Sequence, residues 1–144
     1  GLLKEKLIHI VFKNIDVNDF NNLCYNYSKK DFPLIIKNSF LDYIKKIKSL
    51  KEDCKIVIVS ASVENYLTYW CKENNFDLIA TRLEMKNNKL TGRFYGKNCN
   101  GIEKVNRIKE RYNLLDYSKI LTFGNSKGDK EMLELGTKSY YRLF

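Results

Sequence analysis

The run Lys55-Ile-Val-Ile-Val-Ser60 constrains the fold of this 144-residue chain more than any other stretch. Its four consecutive β-branched residues favour extended backbone. With no polar residue alternating among them, the run reads as a strand buried on both faces, as in a parallel sheet. A helix is expected after it over 63–74, with Ser62 as N-cap and Tyr66, Leu67, Trp70 and Cys71 on its inner face. Asp77–Ala80 is a second short apolar run. Leu83–Met85 and Leu90–Phe94 flank Asn87-Asn88, which tolerate positive φ, so this stretch reads as a β-hairpin. Ile102, Val105, Ile108 and Tyr112 mark a helix, and Lys119–Phe123 a strand ending at Gly124. Met132, Leu133 and Leu135 lie on a short helix stopped by Gly136, and Ser139–Leu143 forms a last strand.

The first third of the chain reads as helical. Leu3, Leu7, Ile10 and Val11 form one stripe over 2–12. Val17, Phe20, Leu23, Cys24 and Tyr27 form another over 17–28, capped by Asp16 or Asn18. Phe40, Tyr43, Ile44, Ile47 and Leu50, separated by lysines, form an amphipathic helix over 39–51. The single proline, Pro33, preceded by Lys29–Asp31, is the clearest break. From residue 39 onward the order is helix, strand, helix, strand, hairpin, helix, strand, helix, strand. That alternation predicts an α/β layered domain with a mainly parallel sheet. Ligands in such sheets bind beyond the carboxyl ends of the strands, so chemistry is sought there.

Composition excludes several function classes. Apolar residues are 44% and aromatics 13%, enough for a core and against general disorder. No apolar run approaches the ~20 residues of a membrane helix. Residues 1–6 lack the features of a secretory signal, so a soluble, cytoplasmic protein is expected. The net charge of +9 invites a nucleic-acid reading. Yet lysines number 21 against 5 arginines, alongside 16 asparagines and 13 isoleucines, and no block of five like charges occurs. That mix reads as a solvated lysine-rich surface, whose positive field would still steer an acidic or phosphorylated small ligand. The cysteines at 24, 54, 71 and 99 form no CxxC pair, and His9 stands alone, so zinc spacing is lacking. Cys24 and Cys71 sit on apolar stripes and read as buried thiols. A cytoplasmic setting disfavours disulfides.

Three positions follow strands or open helices. Ser60, with Ala61 and Ser62, places a small hydroxyl and free amides at a strand's end, where they can hold a phosphate oxygen; the alternative is simple capping by Ser62. Gly124-Asn-Ser-Lys-Gly-Asp129 turns from a strand toward a helix, and Asn125 and Asp129 are oxygen ligands suited to Mg²⁺; the alternative is a turn and an Asp cap. Lys104 follows Gly96-Lys-Asn-Cys-Asn-Gly101, which has glycine spacing but not the Lys-Ser/Thr of a P-loop.

Together, Ser60, Lys104 and the Gly-Asn-Ser-x-Gly-Asp129 turn resemble motifs two, three and four of the haloacid dehalogenase (HAD) superfamily. The phosphoserine-phosphatase-like branch is the closest in pattern. Val59-Ser-Ala-Ser62 with Tyr66-Leu67, Ala80-Thr-Arg-Leu-Glu84, Leu90-Thr-Gly92, Asn98-Cys99 with Gly101 and Glu103-Lys-Val105, and Gly128-Asp-Lys-Glu-Met-Leu133 are similar to that branch. The Asn-Cys…Gly…Glu-Lys-Val element is also similar to bacterial members acting on lipid or small-metabolite phosphates. The resemblance covers residues 36–144, implying a Rossmann-like HAD core, and residues 1–35 resemble the helical cap the branch inserts after its first motif. It implies Mg²⁺-dependent hydrolysis of a small phosphomonoester through an aspartyl-phosphate. Ser60 and Ala61 would hold a phosphate oxygen, and Lys104 would neutralise phosphate and nucleophile. Asn125 and Asp129 would sit at the magnesium. Arg82 and Asn98 would contact substrate, and Tyr25, Tyr27, Lys29 and Lys30 on the cap face either substrate or solvent.

Two departures from the family pattern carry consequences. Asn125 stands where many relatives have Asp, so it would bring an oxygen but no charge to the metal. The first motif, an apolar strand ending in Asp-x-Asp-x-Thr, is missing. Its nearest approach, Ile15-Asp-Val-Asn-Asp-Phe20, reads as a helix cap. The strands at 55–60 and 119–123 would then lack the strand expected between them, and unpaired edges are costly. The resemblance therefore implies an upstream segment bearing the nucleophile, in accord with a chain opening at Gly1 rather than Met. Without it the chain would be inactive. The competing expectations are a non-catalytic relative that binds a phosphate ligand or a partner and, remotely, a basic nucleic-acid-binding module. The specific substrate and the oligomeric state are not legible.

Overall fold

A computed structural model describes residues 2–50 and 54–143; the side chains of Leu2 and Leu50 are not described. Lys51, the last residue expected in the 39–51 helix, lies outside the described residues. The chain divides into two units, Gly1–Ile36 with Lys55–Asn98, and Lys37–Cys54 with Cys99–Phe144.

The first unit opens with α1 (Leu2–Phe12) and α2 (Val17–Lys30). Asp16 caps α2: its Oδ1 accepts from the amides of Asn18 at 2.8 Å and Asp19 at 3.3 Å. The stretch that most nearly approaches the missing motif is thus a helix cap. The chain breaks at Asp31, just before Pro33, where α2 ends; Pro33 then sits in the first turn of a short α3 (Phe32–Ile35), since proline's fixed φ suits a helix start. The βαβ unit follows: β1 (Val57–Val63), α5 (Asn65–Glu73) and β2 (Asp77–Thr81), with β1 and β2 parallel. A hairpin of β3 (Leu83–Lys86) and β4 (Lys89–Phe94) turns through Asn87 and Asn88 at φ 50° and 59°.

Two expectations need correction here. Ser62 does not cap the helix. The backbone stays extended to Val63, which pairs with Thr81 after a register shift beyond Ser60, and the Glu64 amide donates to the Thr81 carbonyl at 2.8 Å. The helix begins two residues late because strand pairing outcompetes the cap. Nor is β1 buried on both faces: Val57–Ala61 are half-buried. Its only strand partner among the described residues is β2.

The apolar stripes converge as expected. Ile8, Phe20, Cys24, Val63, Leu83 and Leu90 form one buried cluster. A run of ring contacts, Phe12–Phe20–Tyr66–Tyr27–Phe32–Trp70–Phe76, joins α1, α2, α3 and α5 at centroid distances of 5.1 to 6.1 Å. Edge-on and tilted pairs of this kind add to area burial.

The second unit contains α4 (Asn38–Leu50), α6 (Ile102–Arg111), β5 (Leu121–Gly124), α7 (Lys130–Leu133) and β6 (Lys138–Tyr141), with β5 and β6 parallel. Short 3₁₀ turns occupy Leu114–Asp116 and Lys127–Asp129. Gly136 does not stop α7, which ends at Leu133. Its φ is not left-handed; a Cβ there would overlap Thr122 Oγ1. Close approach, not turn geometry, requires that glycine.

All four cysteines are thiols, and Cys24, Cys71 and Cys99 are buried. Burial pushes Cys24 up to about 11 and Cys71 up to about 12. No helix among the described residues is long and apolar enough to cross a membrane.

Candidate functional site

In the first unit the polar residues gather where β1 ends. Ser60 Oγ accepts from the Ser62 amide at 3.0 Å, so the hydroxyl is held by the backbone that follows it. The Ala61 carbonyl accepts from Thr81 Oγ1 at 3.0 Å and from Lys4 Nζ. Asn98 Oδ1 accepts from the same two donors, at 2.9 and 2.8 Å. Ala61 and Asn98, far apart in sequence, are thus tied together by one hydroxyl and one ammonium. Arg82 takes no part in this network: it is exposed, and its guanidinium lies over the Tyr95 ring, 5.1 Å from the centroid.

Lys4 and Thr81 were not anticipated. Thr81 could have been found, since it is the polar residue that ends a short apolar strand. Lys4 could not: among 21 lysines nothing marks one that reaches 57 residues along the chain.

In the second unit, the expected lysine and aspartate meet. Lys104 lies in the first turn of α6 and Asp129 closes the turn after β5, and each is only 5% exposed. Lys104 Nζ donates to Asp129 Oδ1 at 2.6 Å. The other carboxylate oxygen accepts from the amides of Asn125 at 3.1 Å and Ser126 at 2.9 Å, and from Ser126 Oγ at 2.7 Å. Burial alone would push the Asp129 carboxyl up. The Lys104 ammonium and the Ser126 hydroxyl and amide outweigh it and hold the carboxyl below its ordinary range.

Two glycines make the geometry possible. A Cβ on Gly124 would stand 2.6 Å from Asp129 Cβ, and one on Gly128 would overlap Asn100 Oδ1. The Gly101 amide, at the start of α6, donates to the Gly128 carbonyl at 2.9 Å. The helix carrying Lys104 is thereby pinned to the turn carrying Asp129.

Hard cations take oxygen ligands, and Mg²⁺ keeps several waters while using only one or two protein carboxylates. Four donors meet the Asp129 carboxylate, three of them at Oδ2, while Oδ1 accepts only from Lys104 and Asn125 is exposed, so both residues offer oxygens suited to such a cation. Glu131 Oε2 nearby is buried without a hydrogen-bond partner. Among the described residues no cluster of three His, Cys, Asp or Glu could hold a metal. The residues present fit Mg²⁺ as part of a set, not as the whole of one.

Residues 4–134 match the family model described as haloacid dehalogenase-like hydrolase. The chain belongs to the haloacid dehalogenase-like hydrolases. Protein CicA of Caulobacter vibrioides, in two strains, is 34% identical over 146 residues. The match takes in all of this chain and 64% of CicA, so the chain spans a little under two thirds of these curated relatives. Among solved structures, a protein of unknown function from Bordetella pertussis Tohama I superposes with a TM-score of 0.75 at 18% identity, over 87% of this chain and 58% of that one. A HAD family hydrolase from Salmonella enterica serovar Typhi gives 0.66 at 18%, over 92% and 43%. Cytosolic 5′-nucleotidase IIIB bound to cytidine gives 0.59 at 13%, over 90% and 45%. These likenesses show a HAD-like, Rossmann-type fold, the core that the family resemblance implies and of the α/β class that the element order predicts.

Proposed function

We propose that this chain is the greater part of a cytoplasmic, Mg²⁺-dependent phosphomonoester hydrolase of the phosphoserine-phosphatase-like branch. Its substrate class is a small phosphorylated metabolite or lipid headgroup. The observation that carries the reading is the buried Lys104–Asp129 pair, held by a turn whose glycines admit no side chain. A structural ion pair of this kind is weak support for stability, because desolvation offsets attraction. A lysine whose charge must face a phosphate gives it a purpose.

In this reading the nucleophilic Asp, from a segment outside this chain, forms an O–P bond as the ester P–O bond breaks, and a second Asp protonates the leaving oxygen. Water then cleaves the aspartyl-phosphate. Lys104 would offset charge on the transferred group, with Asp129 fixing its ammonium. Ser60 Oγ and the amides after it would hold a phosphate oxygen. Asn125 and Asp129 would hold Mg²⁺, directly or through water, and when bound it supplies Lewis-acid charge at the phosphoryl oxygens. Residues 1–35 would serve as the cap over a core of 36–144, with Lys4 and Asn98 near the substrate; Arg82 would contact it only by leaving Tyr95. Among the described residues β1 pairs only with β2 and β5 only with β6, so each has an edge open to a further strand such as one bearing the nucleophile.

The test is turnover of a phosphomonoester panel by the intact protein in Mg²⁺. Hydrolysis that falls by about 100-fold or more in Lys104→Ala is expected. Phosphate binding without turnover would favour a non-catalytic ligand-binding relative instead.

A further inference from the structure

We propose that the first unit carries a second anion site, separate from the residues above, that takes a small ligand bearing two or more phosphate charges. The site is a groove of ≈ 610 Å³ between the end of α1 and the β3–β4 hairpin. That volume is typical of pockets for small molecules. His9, Lys13, Lys86, Lys89 and Arg93 line it, with Glu84 the only acid. Four of its eleven lining residues are Lys or Arg, all of them exposed.

The cations are also uncommitted. The ion pairs Lys55–Asp77, Lys104–Asp129 and Arg107–Glu103 lie outside the groove. Glu84 is turned to its own sheet: its Oε2 accepts from Thr91 Oγ1 at 2.6 Å. All four cations are exposed on the walls of one groove, and their shared positive field would draw an anion into it.

The groove is built rather than improvised. The Asn14 amide donates to the Leu90 carbonyl at 2.9 Å, Leu90 returns a bond to Ile15 at 2.9 Å, and the Val17 amide donates to Asn88 at 3.0 Å. Asn88 Nδ2 donates to Asp16 Oδ2 at 2.8 Å. Gly92 lets α1 close on β4, since a Cβ there would stand 2.9 Å from His9 Cα. A pre-formed wall spares the ligand the cost of ordering it. None of these residues belongs to the proposed catalytic set, so the inference does not rest on the phosphatase reading.

The experiment is a titration of the intact protein with inorganic pyrophosphate, followed by amide NMR and calorimetry at low salt. Saturable binding that moves the amides of Glu84–Arg93, at least about tenfold tighter than orthophosphate, is expected. Lys89→Gln with Arg93→Gln should weaken it about tenfold or more, while Lys109→Gln with Arg111→Gln, an equal charge loss on α6, should not. Circular dichroism verifies that both double variants fold. Equal weakening by the two pairs would reduce the effect to net charge and overturn the proposal. So would shifts confined to residues 60–62, or a single-stranded oligonucleotide that binds the groove more tightly than pyrophosphate with a steep salt dependence.

Discussion

The two units are held together by different physics. Gly1–Ile36 with Lys55–Asn98 rests on an apolar cluster and a run of edge-on aromatic rings. Lys37–Cys54 with Cys99–Phe144 has a smaller apolar centre, Ile44, Val105 and Met132 among its buried residues, and is organised around a buried ion pair and a loop of backbone donors. Hydrophobic burial is non-directional, so the first unit tolerates adjustment. A buried charge pair fails if either partner goes. The unit that holds the proposed Lys104–Asp129 site is the one organised around that pair.

That contrast is open to breakage. Lys104→Met leaves Asp129 buried and uncompensated and should cost about 3–5 kcal/mol in chemical denaturation. If Asp129→Leu is added, the double variant should recover much of that loss; additive losses would mean the two residues act independently. In the apolar unit, Leu67→Ala on α5 should cost about 2–4 kcal/mol, with no recovery from any polar partner. Gly124→Ala forces a methyl onto Asp129 and should cost about 1–3 kcal/mol. Cost and lost turnover should fall together there, sharpening the link between folding and site.

The smallest effect is one of pH. Cys24 and Cys71 ionise from about 11 and about 12 when folded, against 9.0 when unfolded. The folded values are raised, so this stability is present below pH 9 and is lost as pH rises toward 11–12. Between pH 9 and 10 each thiol should cost about 1 kcal/mol, read as a falling melting temperature. A Cys24→Ala, Cys71→Ala variant should show a flatter alkaline limb.

Much of this was legible in residue order. The hairpin followed from Asn87-Asn88, the α2 cap from Asp16 and the βαβ unit from the apolar run at 56–59, because each rests on local chemistry. The Lys104–Asp129 meeting was legible only through a family pattern, since 25 residues separate the two. The Ser62 cap failed because pairing with Thr81, a non-local partner, decided where the strand ended. Lys4 left no trace at all: long flexible ammonium side chains reach their partners without imposing periodicity. The cationic groove combined both kinds. Its lysines were visible as charge, but their convergence needed α1 stitched to the hairpin.

The most direct test keeps the fold and alters only the chemistry. In the intact protein, Lys104→Arg retains a cation beside Asp129 but replaces a compact ammonium with a planar fork. Stability within about 1 kcal/mol of wild type, with phosphomonoester turnover down about 100-fold or more, is the result predicted. Turnover that follows stability and stays near wild type would contradict a role for Lys104 at the phosphate and leave the pair as structure alone.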